Sequence, residues 1–277
     1  MLLRGLRASA ARSSSSMAIR TLPSFSTAAA PRFSDTLWSQ LEQPLQKMHR
    51  HPFVVAVRDG SIDEATMRFY LEQDFLYLIH YGRAFKILSA RVQGVEGSAA
   101  AERASKMLTA CAAGLDPKKL GQDCKSAFAL ARLNWDALKD TEQAPYTRLY
   151  TDHLLKAATL DPYPSAITAL LPCPLTYQRL FSDKDPADGS LPHVLSSSSA
   201  SDSTKLCKAW VEHYGSPSYR AYVNKWCSII DDVAAEASDA ELPCMRREFD
   251  LATRMEYLFW DMAWERRGDW GLEVQRF

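Results

Sequence analysis

The chain contains no CxxC pair, no His-Glu-x-x-His or Glu-x-x-His motif and no glycine-rich phosphate loop. These absences disfavour a structural zinc site, a dimetal centre in a helical bundle and a nucleotide-phosphate site. Cysteine is present but dispersed, at Cys111, Cys124, Cys173, Cys207, Cys227 and Cys244. Because this spacing does not resemble a small secreted disulfide framework, we expect reduced thiols in an intracellular compartment and no metal or other cofactor.

Net charge and long hydrophobic runs are missing as well. The 33 Lys and Arg residues are balanced by 33 Asp and Glu residues, so the formal net charge is zero. A general nucleic-acid or anionic-membrane binder would carry an excess of positive charge, so neither partner is expected. No apolar run approaches the roughly 20 residues that span a bilayer. With 47% hydrophobic residues over 277 positions, the chain can bury a sizeable core.

Acidic residues are absent before Asp35, and the first 32 residues differ in composition from the rest. They contain five arginines and the serine run Ser13 to Ser16. An Arg-rich, Ser-rich and acid-poor segment is typical of an organelle transit peptide. Residues 1–32 are therefore predicted to be a transit-like segment for a mitochondrion or plastid, or a disordered extension of a cytoplasmic protein. Met17 leaves an alternative start open.

Helical periodicity covers nearly the whole chain from Phe33 onward, without convincing alternation of β-branched residues. We therefore predict a single all-α domain over residues 33–277. Capping signals predict helices that begin at Ser61-Ile62-Asp63-Glu64 and run to about Val92, at Ser238-Asp239-Ala240-Glu241 and run to about Arg267, and at Ser216-Pro217. Further helices are predicted at about 34–48, 97–113, 125–138, 145–158, 163–182 and 203–213. The segment 183–204, rich in Pro, Gly, Asp and Ser, is predicted to be a surface loop or disordered insertion.

Cys173 lies between Pro172 and Pro174 in an otherwise helix-like apolar segment. A helix that runs through this segment must bend and leave carbonyl groups unpaired near the sulfur, because proline lacks an N–H and crowds the preceding turn. One interpretation is a small buried hydrophobe at a bend. The other is a thiol that the bend directs towards a ligand.

Two acidic residues interrupt apolar helical stripes. Asp74 lies in the stripe Met67, Tyr70, Leu71, Asp74, Tyr77, Leu78, Tyr81, Phe85 and Leu88, and Glu256 in the stripe Met245, Phe249, Ala252, Glu256, Trp260 and Ala263. A carboxylate that faces a core costs several kcal/mol unless it is paired, so each acid implies a partner or a cavity. In a low dielectric Glu256 would retain a proton and could donate it. The alternatives are a paired structural Asp74, and a surface Glu256 on a stripe shifted by one position.

Tyrosines accompany the thiol and the two acids on the predicted helices. They are Tyr77, Tyr81, Tyr150, Tyr177 and Tyr214. Together they predict an aromatic pocket with hydroxyl groups at its edge. A thiol, two acids and aromatic walls suit attack on a planar, electron-poor ring. Sulfur would add to a ring carbon, an acid would protonate or hydrogen-bond a ring nitrogen, and a leaving group would depart from an attached carbon.

Six separated motifs occur in order along the chain. They are His51-Pro52-Phe53, Gly60-Ser61-Ile62, Tyr70-Leu71-Glu72-Gln73-Asp74-Phe75-Leu76-Tyr77-Leu78, Leu170-Leu171-Pro172-Cys173, Trp210-Val211-Glu212-His213-Tyr214 and Glu256-Tyr257-Leu258-Phe259-Trp260-Asp261-Met262-Ala263. Together they resemble the TenA (thiaminase II) family over about residues 33–270. The resemblance implies a haem-oxygenase-like multi-helical bundle without haem, usually a homotetramer, that hydrolyses aminopyrimidines in thiamin salvage.

The resemblance also implies roles for individual residues. Cys173, whose presence is typical of the cysteine-containing branch, would be the nucleophile, and Glu256 the acid/base that contacts the pyrimidine ring. Asp74 would hold the ring's amino group and the adjacent nitrogen. Four tyrosines would form the walls and hydrogen-bond the ligand or the thiol: Tyr77, Tyr150, Tyr177 and Tyr214. The expected product is 4-amino-5-hydroxymethyl-2-methylpyrimidine, released from the aminomethyl breakdown product of thiamin or from thiamin itself.

Three features depart from the family pattern: the long 183–204 insertion, Pro174 where a bulkier residue is common, and the transit-like N-terminus. Two other functions are considered beside the hydrolase. One is a non-catalytic helical module that keeps the pocket to bind a pyrimidine or to serve a partner. The other is haem binding through His49 or His51, near the end of the first predicted helix.

Overall fold

The computed structural model describes residues 31–123, 125–134, 138, 141–182, 192 and 200–270. All regular secondary structure in these ranges is helical, which confirms the all-α prediction. The helices are α1 (Phe33–His49), α2 (Pro52–Asp59), α3 (Glu64–Val92), α4 (Ala99–Gly114), α5 (Pro117–Asp123), α6 (Lys125–Leu130), α7 (Pro145–Leu160), α8 (Tyr163–Ala169), α9 (Pro172–Ser182), α10 (Asp202–Tyr214), α11 (Pro217–Glu236) and α12 (Glu241–Glu265). Within the described part of the chain, none of them is long and apolar enough to cross a membrane.

Most predicted helix bounds are confirmed to within one or two residues, and the exceptions have local causes. The helix predicted over 125–138 is too long, because α6 ends at Leu130 and Arg132 adopts a left-handed φ of 53°. The short helices α2 and α5 were not predicted, since seven or eight residues contain too few turns for a clear periodicity. Gly60, with φ of 79°, ends α2 in the left-handed conformation that glycine adopts without strain.

Helix capping agrees with one of the three predicted signals in full and with a second in part. Ser216 caps α11 by accepting a hydrogen bond from the Tyr219 N–H, and Pro217 follows at the first helical position. At α12 only half of the predicted capping box is present, because Glu241 accepts hydrogen bonds from the N–H and the hydroxyl of Ser238 but the N-cap is Ala240 and no side chain caps the helix. The prediction for Ser61 is wrong. Asp63 caps α3 instead, because its carboxylate accepts from the Thr66 N–H at 2.9 Å.

The helix predicted over 163–182 is two helices, α8 and α9, separated at Leu170 and Leu171. Pro172 begins α9 and Pro174 lies in its first turn, where the missing N–H groups have no intrahelical acceptor to lose. Cys173 therefore lies in the first turn of a new helix, and the predicted bend in a continuous helix is corrected. The Leu170 carbonyl, which Pro174 cannot satisfy, accepts a hydrogen bond from the Tyr81 hydroxyl at 2.5 Å.

The predicted N-terminal extension and insertion lie largely outside the described residues. Residues 1–30, 183–191 and 193–199 belong to these two segments. At its C-terminal end, however, the 183–204 loop is shorter than predicted. Ser201 caps α10 by accepting from the Thr204 N–H, so residues 202–204 already belong to that helix.

Helices α3 and α12 form the centre of the bundle. Helix α3 packs against α4 and α7, while α12 packs against α7, α8, α9 and α3. Large aromatic side chains fill the space between the helices, including Trp210, Trp226, Trp260, Tyr70, Phe53, Phe85 and Phe249. Because a close-packed aromatic core leaves side chains few alternative positions, polar groups on α3 and α12 that face it are held rigidly.

Candidate active site

Three reactive side chains and four aromatic rings surround a small cavity with about 10 Å³ of free space. Helix α3 supplies Asp74 and Tyr77, α7 supplies Tyr150, α9 supplies Cys173 and Tyr177, and α12 supplies Glu256 and Phe259. The structure thus brings together all but two of the residues predicted for the site, and the exceptions are Tyr81 and Tyr214.

The Cys173 thiol is half-buried in the first turn of α9. A helix N-terminus favours a thiolate. Burial has the larger effect and raises the pKa of Cys173 well above its usual value, and the neighbouring carboxyl group of Glu256 raises it further. The Tyr77 hydroxyl acts in the opposite direction and lowers this pKa. At neutral pH the sulfur is therefore a thiol, and it needs an acceptor for its proton when it attacks.

Glu256 is only 2% exposed, so the alternative of a surface glutamate is wrong. Its Oε1 atom accepts a hydrogen bond from the Tyr150 hydroxyl at 2.6 Å. Burial raises the pKa of Glu256 to about 8, and nearby Asp74 adds to the rise, whereas the hydrogen bonds from Tyr150 and Cys173 oppose it. Glu256 therefore carries a proton at neutral pH and lies within reach of both the thiol and the cavity.

Asp74 lies on the same cavity and has a different hydrogen-bond partner. The Tyr70 hydroxyl donates to its Oδ1 atom at 3.4 Å. Burial raises the pKa of Asp74 to about 6, and the Tyr70 hydrogen bond limits that rise. At neutral pH Asp74 is a carboxylate, so it can accept hydrogen bonds from a ligand that offers N–H groups.

Tyr77 and Tyr81 follow Asp74 along α3 but differ in their hydroxyl contacts. Tyr77 stacks on Tyr81 at 5.3 Å between ring centroids, and its buried hydroxyl lies beside the Cys173 sulfur. A hydroxyl donor at this position can stabilise a thiolate when one forms. The Tyr81 hydroxyl instead binds the Leu170 carbonyl, so the prediction that Tyr81 lines the cavity is not supported.

Tyr214 lies one ring further from the cavity. Its ring centroid is 5.0 Å from that of Tyr177, and it also packs against Phe181 at 5.8 Å and Tyr219 at 4.9 Å. Tyr214 therefore supports the position of Tyr177, and it is not among the described residues that line the cavity.

Three residues of the site and its surroundings were not identified from the sequence. Phe259 lines the cavity, while Tyr70 and Trp260 hydrogen-bond the lining residues Asp74 and Tyr177. Helical spacing could have identified two of them. Tyr70 is one turn before Asp74 and Phe259 is three residues after Glu256, so each shares a helix face with an acid.

His51 has a structural position that does not favour haem ligation. Its Nδ1 atom accepts from the Phe53 N–H at 3.2 Å and so caps α2, and its Nε2 atom is 3.7 Å from Asp261. The Nδ1 atom is therefore engaged in the helix cap, and the Nε2 atom lies near a carboxylate. Among the described residues, no three His, Cys, Asp or Glu side chains converge closely enough to hold a metal ion.

Comparison with known proteins identifies the family. The sequence model of the TENA/THI-4/PQQC family matches residues 38–266. The aminopyrimidine aminohydrolase of Halalkalibacterium halodurans is 26% identical over 85% of this chain and 96% of its own length, and that of Bacillus subtilis is 22% identical over 86% and 92%. A solved TenA homologue from P. horikoshii is 25% identical, covers 85% of this chain and 99% of its own, and superposes with a TM-score of 0.68. These matches confirm the predicted haem-oxygenase-like fold, and the chain belongs to the TENA/THI-4/PQQC family.

Proposed function

We propose that this protein is an aminopyrimidine hydrolase of thiamin salvage. It converts 4-amino-5-aminomethyl-2-methylpyrimidine and water into 4-amino-5-hydroxymethyl-2-methylpyrimidine and ammonia. The observation that carries the proposal is the convergence of Cys173, Glu256 and Asp74 on one aromatic cavity. Curated relatives over most of the chain that are named aminopyrimidine aminohydrolase support the same reaction class.

Cys173 is the proposed nucleophile. Its sulfur forms a bond to a ring carbon of the pyrimidine while the thiol proton passes to Glu256, and the proton already on Glu256 moves to a ring nitrogen. The electron pair of the ring double bond moves onto the ring nitrogen, and the proton from Glu256 neutralises the negative charge that would otherwise develop there. Because the pKa of Glu256 is about 8, the group is protonated near neutral pH. It can therefore give its proton to the ring nitrogen as it takes the proton of the thiol.

Loss of the amine follows from the first step. The 5-aminomethyl nitrogen takes the proton that Glu256 received from the thiol. The electron pair of a ring nitrogen then expels it as ammonia and leaves an exocyclic methylene group. Water adds to this carbon, gives one proton to the Glu256 carboxylate and delivers the hydroxyl group of the product. The carbon–sulfur bond then breaks, Cys173 recovers its proton through Glu256, and the aromatic ring is restored.

Substrate size is the second part of the proposal. The free space between the lining side chains is about 10 Å³, far below the roughly 300–1,000 Å³ of pockets that hold drug-sized ligands. A ligand must therefore displace side chains such as Tyr77, Tyr150 and Phe259, and a single pyrimidine ring requires less displacement than the two rings of thiamin. We therefore place the aminomethylpyrimidine ahead of thiamin as the preferred substrate.

The test is an assay of the purified protein with each compound in turn. We expect ammonia and the hydroxymethylpyrimidine in equal amounts from the aminomethyl compound, with a higher kcat/KM than for thiamin. The runner-up function, a non-catalytic binding module, predicts a rise in Tm with the hydroxymethylpyrimidine and no product from either compound. A higher kcat/KM for thiamin would contradict the proposed substrate preference.

Two further properties are proposed from the sequence and the family. Residues 1–32 direct the protein to a mitochondrion or plastid, as their arginine and serine content supports, and a fluorescent fusion retained in the cytoplasm would contradict this. The protein is a homotetramer, as the resemblance to the TenA family supports. Light scattering during size-exclusion chromatography measures the mass that decides this point.

A further inference from the structure

A line of hydrogen-bonding groups connects the buried core to Asp74. The Trp260 indole N–H donates to the Tyr177 hydroxyl oxygen at 3.0 Å, and the hydroxyl groups of Tyr177 and Tyr70 are hydrogen-bonded to each other. Tyr70 then donates to the Oδ1 atom of Asp74 at 3.4 Å. Trp260 is fully buried and Tyr70 is 1% exposed, so neither group has solvent as an alternative partner.

The donor and acceptor chemistry of these groups restricts their proton positions to two arrangements. An indole N–H can only donate, so Trp260 always uses a lone pair of the Tyr177 oxygen. In the first arrangement Tyr177 donates to Tyr70, and Tyr70 donates to Asp74. In the second, Tyr70 donates to Tyr177, which frees the Tyr177 proton for the cavity and leaves Asp74 without that donor.

The two arrangements differ in the hydrogen-bond donors and acceptors that Asp74 and Tyr177 offer to a ligand. In the second arrangement Asp74 has lost its hydrogen bond from Tyr70, and a ligand N–H can replace that donor. The same ligand can accept a hydrogen bond from the Tyr177 hydroxyl, which no longer donates to Tyr70. We infer that Tyr70 is a positioning residue that couples Asp74 to Tyr177, so that together they recognise a heterocycle with hydrogen-bond donors and acceptors on its edge. This inference rests on the proposed function and assigns a role to a residue that does not line the cavity.

Aromatic packing holds the Tyr70 ring in place. Its ring centroid lies 4.7 Å from that of Phe53, 4.9 Å from that of Trp210 and 5.6 Å from that of Phe259. Because the ring is enclosed on several sides, its hydroxyl group cannot swing away from Tyr177 and Asp74. The same packing makes Tyr70→Phe a clean test, since phenylalanine keeps the ring and removes only the oxygen.

The titratable groups that act on Asp74 come from four helices. They are Tyr70 on α3, Cys173 and Tyr177 on α9, Tyr214 on α10 and Glu256 on α12. Of these, Tyr70 is the group whose hydrogen bond favours the ionised form of Asp74. Its removal therefore raises the pKa of Asp74. Because binding requires ionised Asp74, the acidic limb of the plot of 1/KM against pH moves to higher pH. A purely structural role for Tyr70 would not move that limb.

The decisive experiment is a double-mutant cycle of Tyr70→Phe and Asp74→Asn in the full chain. Calorimetric titration with 4-amino-5-hydroxymethyl-2-methylpyrimidine measures Kd, and turnover of the aminomethyl compound measures KM and kcat. We expect Tyr70→Phe to raise Kd and KM about tenfold with kcat little changed. In the Asp74→Asn background the same change should have no further effect on Kd.

Equal effects of Tyr70→Phe in the two backgrounds, or an unchanged Kd in the Tyr70→Phe protein, would overturn the inference. Tyr222→Phe is the matched control, because its half-buried hydroxyl contacts Cys111 at 3.5 Å outside the cavity lining, and it should leave Kd unchanged. Trp260→Phe removes the donor at the other end of the line and tests the coupling if Tyr70→Phe does not fold. Because Kd needs no turnover, a wild-type protein that binds but does not hydrolyse would contradict the proposed function alone.

Discussion

The two acids of the cavity lie in similar surroundings but hold their protons differently. On the thiol side, formed by Cys173, Glu256 and Tyr150, burial raises the pKa of Glu256 to about 8. On the aspartate side, formed by Asp74, Tyr70 and Tyr177, burial raises the pKa of Asp74 to about 6. Near pH 7 the first acid is therefore mainly protonated and the second mainly ionised. Two carboxyl groups on one cavity can thus divide the work, with proton transfer on the thiol side and ligand binding on the aspartate side.

The largest expected effect of a single change is on the thiol side. Cys173→Ser replaces the nucleophile with a hydroxyl group that has no strong base to activate it, so kcat should fall by roughly 10⁴-fold or more. The aspartate side is untouched, and Kd for the hydroxymethylpyrimidine should remain near the wild-type value. Steady-state kinetics and calorimetry measure the two quantities, and wild-type turnover in Cys173→Ser would refute the nucleophile.

Glu256→Gln should lower kcat by about 10²–10³-fold, within the range expected for loss of a general acid. Glutamine has the same shape and can still accept the Tyr150 hydrogen bond, but it cannot transfer a proton. The readout is kcat under saturating substrate, with the melting temperature as a check on folding. A larger change in KM than in kcat would instead place Glu256 with the binding residues.

Asp74→Asn should have the opposite signature. It removes the negative charge that accepts N–H groups, so KM and Kd should rise about 10- to 100-fold, as loss of a charged hydrogen bond of roughly 1.5–3 kcal/mol implies. The chemical step should be affected much less. If kcat fell as far as in Glu256→Gln while Kd stayed constant, the division between the two sides would be wrong.

The smallest expected effect is a shift in pH dependence caused by Tyr150→Phe. Wild-type kcat/KM should be bell-shaped, since activity requires ionised Asp74 above about pH 6 and protonated Glu256 below about pH 8. The Tyr150 hydroxyl favours the ionised form of Glu256, so its loss raises the pKa of Glu256. The basic limb should move up by about one pH unit while the acidic limb stays fixed. Movement of both limbs together would indicate a general disturbance of the cavity.

Much of the site could be predicted because polar residues stand out within apolar helical stripes. Asp74 and Glu256 interrupt the stripes of α3 and α12, and local spacing was enough to place both against the core. The helix break before Pro172 could not be predicted with the same certainty. A proline after an apolar run is compatible with a bend or with a helix start, and here the Tyr81 hydroxyl from α3 binds the carbonyl at the break.

The hydrogen bonds between helices could not be predicted from the sequence either, because they depend on tertiary packing. The line from Trp260 through Tyr177 and Tyr70 joins three helices that are far apart in the chain. Whether a tyrosine hydroxyl faces the cavity, as in Tyr150, or satisfies a carbonyl group, as in Tyr81, depends on tertiary packing alone. Sequence spacing therefore identified the lining residues well and their partners poorly.

Infrared spectroscopy of the protonated carboxyl groups tests the division of roles most directly. At pH 7 the wild-type protein should have a carbonyl stretch from a buried protonated carboxylic acid, and this band should disappear in Glu256→Gln. The same band should persist in Asp74→Asn, because Asp74 is mainly ionised at that pH. A band that persists in Glu256→Gln and disappears in Asp74→Asn would contradict the account.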